Sequence, residues 1–425
     1  MNKFKSISAR ISSCLLQAMI ATCTGTVVYG QVSGPINSRI DKLASEIVDK
    51  NQAAGISILV IKDGQPVYNK AFGLADLENK IPMRTDHIFR IASQTKAVTS
   101  LAAMMLLEEG KFLLDDPVSR FIPEFKEVKV LDKFNAADSS YTTKAASREI
   151  TVRDLLRHTS GISYAVFSGN PVINAIYSKA GVSTGIGSKG NLKEQIALLA
   201  RQPLVHQPGE TFTYGLNTDI LGYLVEIWGG VPLDICFRKR IFEPLNMKDT
   251  YFQLPAEKKD RLVSLSLRNK KGKLANVHGL IYEGNTADYP LVKGVYLSGG
   301  AGLVSTTEDY AKFLSLFLNG GRVNGQRLIG EKTIELMLSS QLPGETAKPA
   351  ALQFGLGFAL VTPQNKFMHT ISTDSFYWGG IFNTYYWVDP KEKLIALVYT
   401  QEYDAYSENI GNLFKNVIYS TLGND

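Results

Sequence analysis

The chain has 425 residues, 44% hydrophobic and 20% charged, with a mean hydropathy of −0.04. This is a globular composition with enough length for a large core, as one large domain or two intimately joined ones, and it excludes a disordered or fibrous chain. Lys3, Lys5 and Arg10 account for half of the formal +6, which leaves 43 basic against 40 acidic residues beyond residue 30, and no basic cluster is dense enough for a nucleic-acid partner.

The first thirty residues contain no acid. Their three basic residues precede an apolar-to-neutral run, 11–28, and Val28-Tyr29-Gly30 before Gln31 fits a cleavage site. Residues 1–30 therefore read as a signal peptide, with residues 31–425 periplasmic or secreted. The run is not apolar enough for a membrane span. Ile20-Ala21-Thr22-Cys23 fits a lipoprotein box poorly, because threonine precedes the cysteine. Beyond the signal only Cys236 remains, so no intrachain disulfide can form, and it reads as a core residue. The five histidines, His87, His158, His206, His278 and His369, are scattered without a metal-binding pair. Neither a metal nor a cofactor is expected.

Residues 36–51 carry helical apolar spacing. The apolar runs 56–61 and 67–73 flank Asp63-Gly64, a hairpin signal. A helix is expected from Ser93 to Glu109, closed by Gly110, and further helices over 151–158, 192–201 and 218–228. The polar stretch 126–148 reads as a lid or a surface excursion. Strands return at 354–361, 383–389 and 393–400, and a helix closes the chain over 406–422. The fold class is α/β (α+β): an antiparallel sheet built from both chain ends, about 37–92 and 295–425, around an inserted, mostly helical part over about 93–294. Ser93 falls at the seam between the two, a common place for a pocket.

Ser93-Gln94-Thr95-Lys96 is the one place where lysine follows serine by three residues. On a helix that spacing puts both side chains on one face, so the Lys96 ammonium can reach the Ser93 hydroxyl. A serine hydroxyl becomes a useful nucleophile only when a neighbour handles its proton. The bland reading of this tetrapeptide is a helix-capping serine followed by a surface lysine. Two further segments weigh against it. Tyr214 follows the Pro208-Gly209 turn on an irregular stretch, and a tyrosine beside a lysine gives up its proton more readily. Trp378-Gly379-Gly380-Ile381 brings two glycines, which let backbone approach a ligand, ahead of an N–H that could serve a developing oxyanion. The Ser93 N–H, at a helix start, is the other candidate donor. Two decoys share residues 181–190: Gly181-Val182-Ser183-Thr184-Gly185 and Gly185-Ile186-Gly187-Ser188-Lys189-Gly190. Neither follows a strand, so both read as a flexible loop and not as a nucleophile elbow or nucleotide site.

Together, and in this order, Ser93-Gln94-Thr95-Lys96, Tyr214 and Trp378-Gly379-Gly380 resemble the penicillin-recognising serine hydrolases, in particular the class C β-lactamase and family VIII esterase group. Phe89-Arg90-Ile91-Ala92, Leu155-Leu156-Arg157-His158-Thr159-Ser160-Gly161, Gly299-Gly300-Ala301-Gly302-Leu303-Val304-Ser305-Thr306 and Val388-Asp389-Pro390 extend the likeness over nearly the whole mature chain.

The resemblance implies that Ser93 attacks an acyl carbon and that Lys96 and Tyr214 move its proton, with either as the base. It implies an oxyanion hole at Ser93 and Ile381, substrate contacts from Trp378, Gly379, Gly380 and Asn217, and a structural His158. Two departures bear on substrate. Trp378 and Gly379 stand where β-lactamases carry Lys-Thr, so that charge partner for a carboxylate is absent. Asn217 comes one residue later than in their Tyr-x-Asn motif. Both favour a neutral or hydrophobic acyl ester over a β-lactam or peptidoglycan stem peptide, and with the export signal the leading expectation is an exported esterase for small carboxylic esters. The alternatives are a class C-type β-lactamase or D-Ala-D-Ala peptidase, or an acyltransferase or amide hydrolase of the same fold. The partner expected is a small ester or amide.

Overall fold

Gly55-Ile56-Ser57-Ile58-Leu59-Val60-Ile61-Lys62 forms strand β1, and its first six residues are buried. A strand apolar on both sides must be covered on both faces. In the computed structural model, which describes residues 35–138, 140–167, 169–294, 296–342, 352–403 and 409–422, that is its place. The segment expected to be an export signal lies outside the described residues.

β1 (Gly55–Lys62) leads into β2 (Gln65–Asp76) through Asp63 and Gly64, with φ of 51° and 75°. A two-residue turn with both φ positive matches the twist of paired strands, and the Asp-Gly pair provides it. β3 (Ile81–Pro82) follows. The other strands come from the far end of the chain: β4 (Ala359–Leu360), β5 (Phe376–Gly380), β6 (Thr384–Asp389) and β7 (Leu394–Tyr399). They join in the order β4-β5-β6-β7-β1-β2-β3, antiparallel throughout. The two chain ends meet at the centre, where Ser57 pairs with Tyr399, Leu59 with Leu397 and Ile61 with Ile395.

Side chains alternate between the two faces of the sheet. Ile56, Ile58 and Val60 of β1 join Trp387, Ala396 and Val398 under two helices, Pro35–Asp49 and Ile410–Tyr419. Leu59, Tyr386 and Leu397 face the opposite way, toward the helices Thr95–Glu108 and Thr307–Leu318. The Thr95–Glu108 helix is buried from Thr95 through Leu106. A helix without a wet face belongs in a core, and this one carries the Ser93 turn at its N-terminal end.

Between these parts run the helices Val152–Leu156, Pro171–Lys179, Leu192–Ala200 and Asn217–Gly229. The polar stretch expected to be a lid or surface excursion forms a hairpin, Lys129–Phe134 with Tyr141–Ala145. Leu131 and Leu204 anchor its root: the Leu131 N–H donates to Leu204 O at 2.9 Å, and the Leu204 N–H to Lys129 O at 2.8 Å. The strand expected over 354–361 shrinks to Ala359–Leu360. Gly357 turns the chain with φ of 106°, and a side chain on Gly355 would run into Met337 O. The closing helix covers Ile410–Tyr419.

Phe414, fully buried, shares the apolar cluster between that helix and the sheet with Trp387 and Val398. Truncating a buried phenylalanine removes its transfer energy and leaves a cavity. Phe414→Ala is expected to lower stability by about 3–5 kcal/mol, read as a drop in urea midpoint. An unchanged midpoint would mean that the helix does not hold the sheet.

Candidate active site

Ile91 follows the short paired strand Phe89–Arg90, and the next three residues make a 3-10 turn, Ala92–Gln94. Ala92 has φ of 41°, left-handed backbone that a residue with a Cβ rarely adopts. Such strain persists only where its surroundings enforce it. Here the Ile91 N–H donates to Leu303 O at 3.2 Å, and Gln94, just beyond, is buried, its side chain bonded by the Tyr399 hydroxyl and its carbonyl by the Tyr310 hydroxyl. The turn leaves Ser93 half-buried at a cavity wall.

Lys96, one turn on, is 2% exposed. Its ammonium reaches Ser93 Oγ at 3.4 Å, Tyr164 Oη at 3.0 Å and Gly300 O at 2.8 Å. It also stands 4.6 Å from the centroid of the Tyr214 ring. Among the described residues no carboxylate lies within ion-pair distance. Burial pulls the Lys96 ammonium down, but the oxygens of Tyr164 and Tyr214 outweigh it, so its pKa lies above the usual lysine range and the resting lysine is cationic. Burial also raises the Tyr164 phenol, against the pull of Lys96.

Asp219 stands behind this cluster, fully buried on the Asn217–Gly229 helix. It accepts hydrogen bonds from Ser298 Oγ at 2.6 Å and Tyr296 Oη at 3.2 Å. Ser298 Oγ in turn accepts the N–H groups of Gly300 and Ala301 at 3.2 and 2.9 Å. The carboxylate thus fixes the turn that presents the Gly300 carbonyl to Lys96. Burial raises the Asp219 pKa, and Ser298 and the charge of Lys96 work against that rise.

Tyr214 is held from three sides. Gly215 packs against the backbone at Ile162, where a Cβ would come within 2.3 Å of the carbonyl oxygen. The Thr213 N–H donates to His158 O at 2.8 Å, and the His158 ring lies 5.0 Å from that of Tyr214. Trp378 Nε1–H points at Tyr214 Oη across 3.4 Å. Trp378 is on β5, the strand that ends at Gly380. A Cβ on Gly380 would lie 2.4 Å from Ile91 O, so only glycine lets the strand close on the Ser93 turn.

Ser93, Tyr164, Tyr214, Trp378, Ile186 and Ala301 share one cavity of about 480 Å³. Gly379 and Ile381 also line it; Gly380 lies beside it, packed on Ile91. Asn217 does not line it. That side chain is fully buried, with Nδ2 3.0 Å from His158 Nδ1 and Oδ1 accepting from the Ser160 hydroxyl, so it ties two backbone segments together and offers nothing to a ligand. His158 is likewise buried in that tie. The stretch 181–190 is a loop, as expected, yet not apart from the site: Thr184 and Ile186 stand in the cavity wall. Ser183 is bonded to Ser188.

Tyr164 and the Gly300 carbonyl are partners of Lys96 that the sequence does not mark: both lie in or beside segments that resemble the family, but nothing in their spacing points to Lys96.

The Beta-lactamase family model matches residues 40–411. An uncharacterized protein of Mycobacterium tuberculosis is 31% identical over 367 residues, 84% of this chain and 88% of its own. Esterase EstB of Burkholderia gladioli is 28% identical over 422 residues, 95% of this chain and all of its own. Among solved structures, EstCE1, described as a hydrolase with promiscuous acyltransferase activity, superposes with a TM-score of 0.77 at 24% identity over 90% of this chain and 98% of its own, a likeness of fold.

Burial and the charge of Lys96 hold His158 well below the ordinary histidine pKa, and burial also lowers His87, His206 and His369. The unfolded chain takes up protons at these four sites near pH ~6.5, and the folded chain only at lower pH. The unfolded state then binds more protons, so stability falls on acidification through that window. The exposed His278, raised by Glu78, acts in the opposite direction. The urea midpoint is expected to drop between pH 7.5 and 5.5, and a flat profile would contradict four imidazoles held neutral, two of them, His87 and His158, buried.

Proposed function

The chain belongs to the beta-lactamase family and is a serine hydrolase of that group, and from that premise we propose that it cleaves small carboxylic esters through an acyl-enzyme on Ser93. The observation that carries this reading is the Lys96 ammonium, bonded to Ser93 Oγ and Tyr164 Oη and lying against the Tyr214 ring at the wall of a cavity with Trp378 at its edge.

Ser93 Oγ attacks the ester carbonyl carbon and its proton leaves within the lysine–tyrosine cluster. Lys96, 3.4 Å from Ser93 Oγ, and Tyr214, whose ring lies 4.6 Å from the Lys96 ammonium, are the proposed proton carriers, with either as the base. The proton then passes to the departing alkoxide as the carbon–oxygen bond breaks. Water enters by the same route, giving its proton to the cluster as its oxygen bonds the acyl carbon; the acyl carbon–Oγ bond then breaks, Ser93 Oγ takes that proton back, and the carboxylic acid leaves. The N–H groups of Ser93 and Ile381 are the proposed donors to the oxyanion. Trp378 brings no positive charge to the β5 edge beside Ser93, which supports an ester over a β-lactam. The basic, apolar start of the chain supports export to the periplasm or beyond.

Ser93→Ala is expected to abolish hydrolysis of p-nitrophenyl butyrate with an unchanged circular dichroism spectrum, and wild-type turnover in that variant would remove Ser93 from the mechanism. A chromogenic cephalosporin should show the lower specificity constant on the same sample. The reverse order would favour a β-lactamase.

Tyr164→Phe keeps the ring and removes the oxygen bonded to Lys96. It should lower kcat by about 10²-fold with little change in KM, the size expected for loss of a proton-handling group. Full kcat in that variant would confine Tyr164 to packing.

A further inference from the structure

The cavity does not end at Trp378. Alternation along β5 sends Trp378 to the Ser93 side of the sheet, opposite Tyr386, and sends Tyr377 and Gly379 to the other face, opposite Trp387 and Tyr385. The cavity nevertheless includes residues on both sides: Ser93 and Tyr214 on one, Tyr377, Tyr385, Asn412 and Lys415 on the other.

Two features of β5 open this passage. Among the described residues its outer neighbour β4 pairs only with Phe376 and Tyr377, so no strand pairs with that edge from Trp378 onward. At the crossing point stands Gly379, where a Cβ would lie 3.3 Å from the Tyr385 ring and 2.9 Å from Thr384 O. A side chain there would fill the saddle. On the far side the Ile410–Tyr419 helix is seated directly on the aromatic floor, since a Cβ on Gly411 would come within 2.6 Å of the Tyr385 ring. The far end is therefore built on packed secondary structure.

Lys415 lies at that end. Its ammonium stands 4.6 Å from the Tyr377 ring centroid and 5.5 Å from that of Trp387, with Asn412 Oδ1 at 3.3 Å. Among the described residues no carboxylate lies within 4.0 Å of it. Burial alone lowers its pKa to about 8, the mark of a cation without an anionic partner. His369 packs on the same Tyr377 ring, 5.3 Å between centroids; burial, then the charges of Lys415 and Lys366, lower its pKa, so the surroundings are electropositive.

We propose that the substrate carries a carboxylate remote from the scissile ester, which crosses the Gly379 saddle and binds Lys415, with Asn412 as a second donor. This rests on the ester-hydrolase reading and adds the chemical class of the substrate. A carboxylate suits an ammonium, an amide and an aromatic floor: the charge is neutralised while the connecting chain lies on Tyr377 and Tyr385.

The test pairs each carboxylated ester with a neutral one: p-nitrophenyl hemiglutarate with p-nitrophenyl butyrate for a carboxylate on the acyl side, and 4-butyryloxybenzoate with phenyl butyrate for one on the alcohol side. The quantity read is the ratio of kcat/KM, charged over neutral. In at least one pair this ratio should fall tenfold or more in Lys415→Met, through KM, and the same ratio should shrink with added salt in the wild type. Ratios unchanged within twofold in both pairs would overturn the proposal. To separate this from failure of the ester reading, p-nitrophenyl hemiglutarate and 4-butyryloxybenzoate are each titrated calorimetrically into Ser93→Ala and Ser93→Ala/Lys415→Met. At least tenfold weaker binding of either ester by the double variant supports the Lys415 site even if no ester is turned over. Equal binding of both removes the site whatever the catalytic result.

Discussion

A buried ammonium without a carboxylate in contact is the constraint around which this site is arranged. Moving a charge out of water is costly unless its hydrogen bonds are replaced. Lys96 recovers three, from the Ser93 hydroxyl, the Tyr164 hydroxyl and the Gly300 carbonyl. Each acceptor comes from a different stretch of chain, so the lysine fixes their mutual positions. The nearest buried acid, Asp219, works at one remove, by holding the turn that carries Gly300. A carboxylate in direct contact would fasten the ammonium in one direction. Hydroxyl and carbonyl dipoles hold it without pinning it to one anion.

The fold was legible wherever local chemistry dictates geometry. Asp63-Gly64 announces a hairpin because both residues tolerate positive φ, and the apolar runs at both ends announce a sheet covered on two faces. The expected strand over 354–361 was too long, because apolar content outweighed Gly355 and Gly357, whose backbone the tertiary contacts bend. Ser93, Lys96, Tyr214 and Trp378 were legible as an ordered set. Tyr164 was not, since one tyrosine among nineteen gains meaning only from what lies beside it. Asn217 misled for the opposite reason: its type and approximate position suit a ligand contact, but the helix begins at that residue and turns its amide toward His158 and Ser160.

Glycine does two different jobs at the end of β5. Gly380 lets the strand close on the Ser93 turn, and Gly379 leaves its outer edge low. One brings the walls of the site together and the other keeps a gap in them. The third-motif segment therefore contributes through missing side chains as much as through the indole of Trp378, and residue-type matching alone is blind to that.

The pairing of β1 with β7 has a consequence in time. Ser57 and Tyr399 are partners, yet more than three hundred residues separate them along the chain. On a ribosome, the strand at the heart of the sheet waits unpaired on one side until almost all of the polypeptide has emerged. Contacts so distant in sequence make folding slow. Trp378 and Ile381 also arrive late, and without them the cavity beside Ser93 has no far wall. A nascent or truncated chain therefore holds its Ser-Lys pair beside an open cavity, and the pocket is complete only when synthesis is nearly finished.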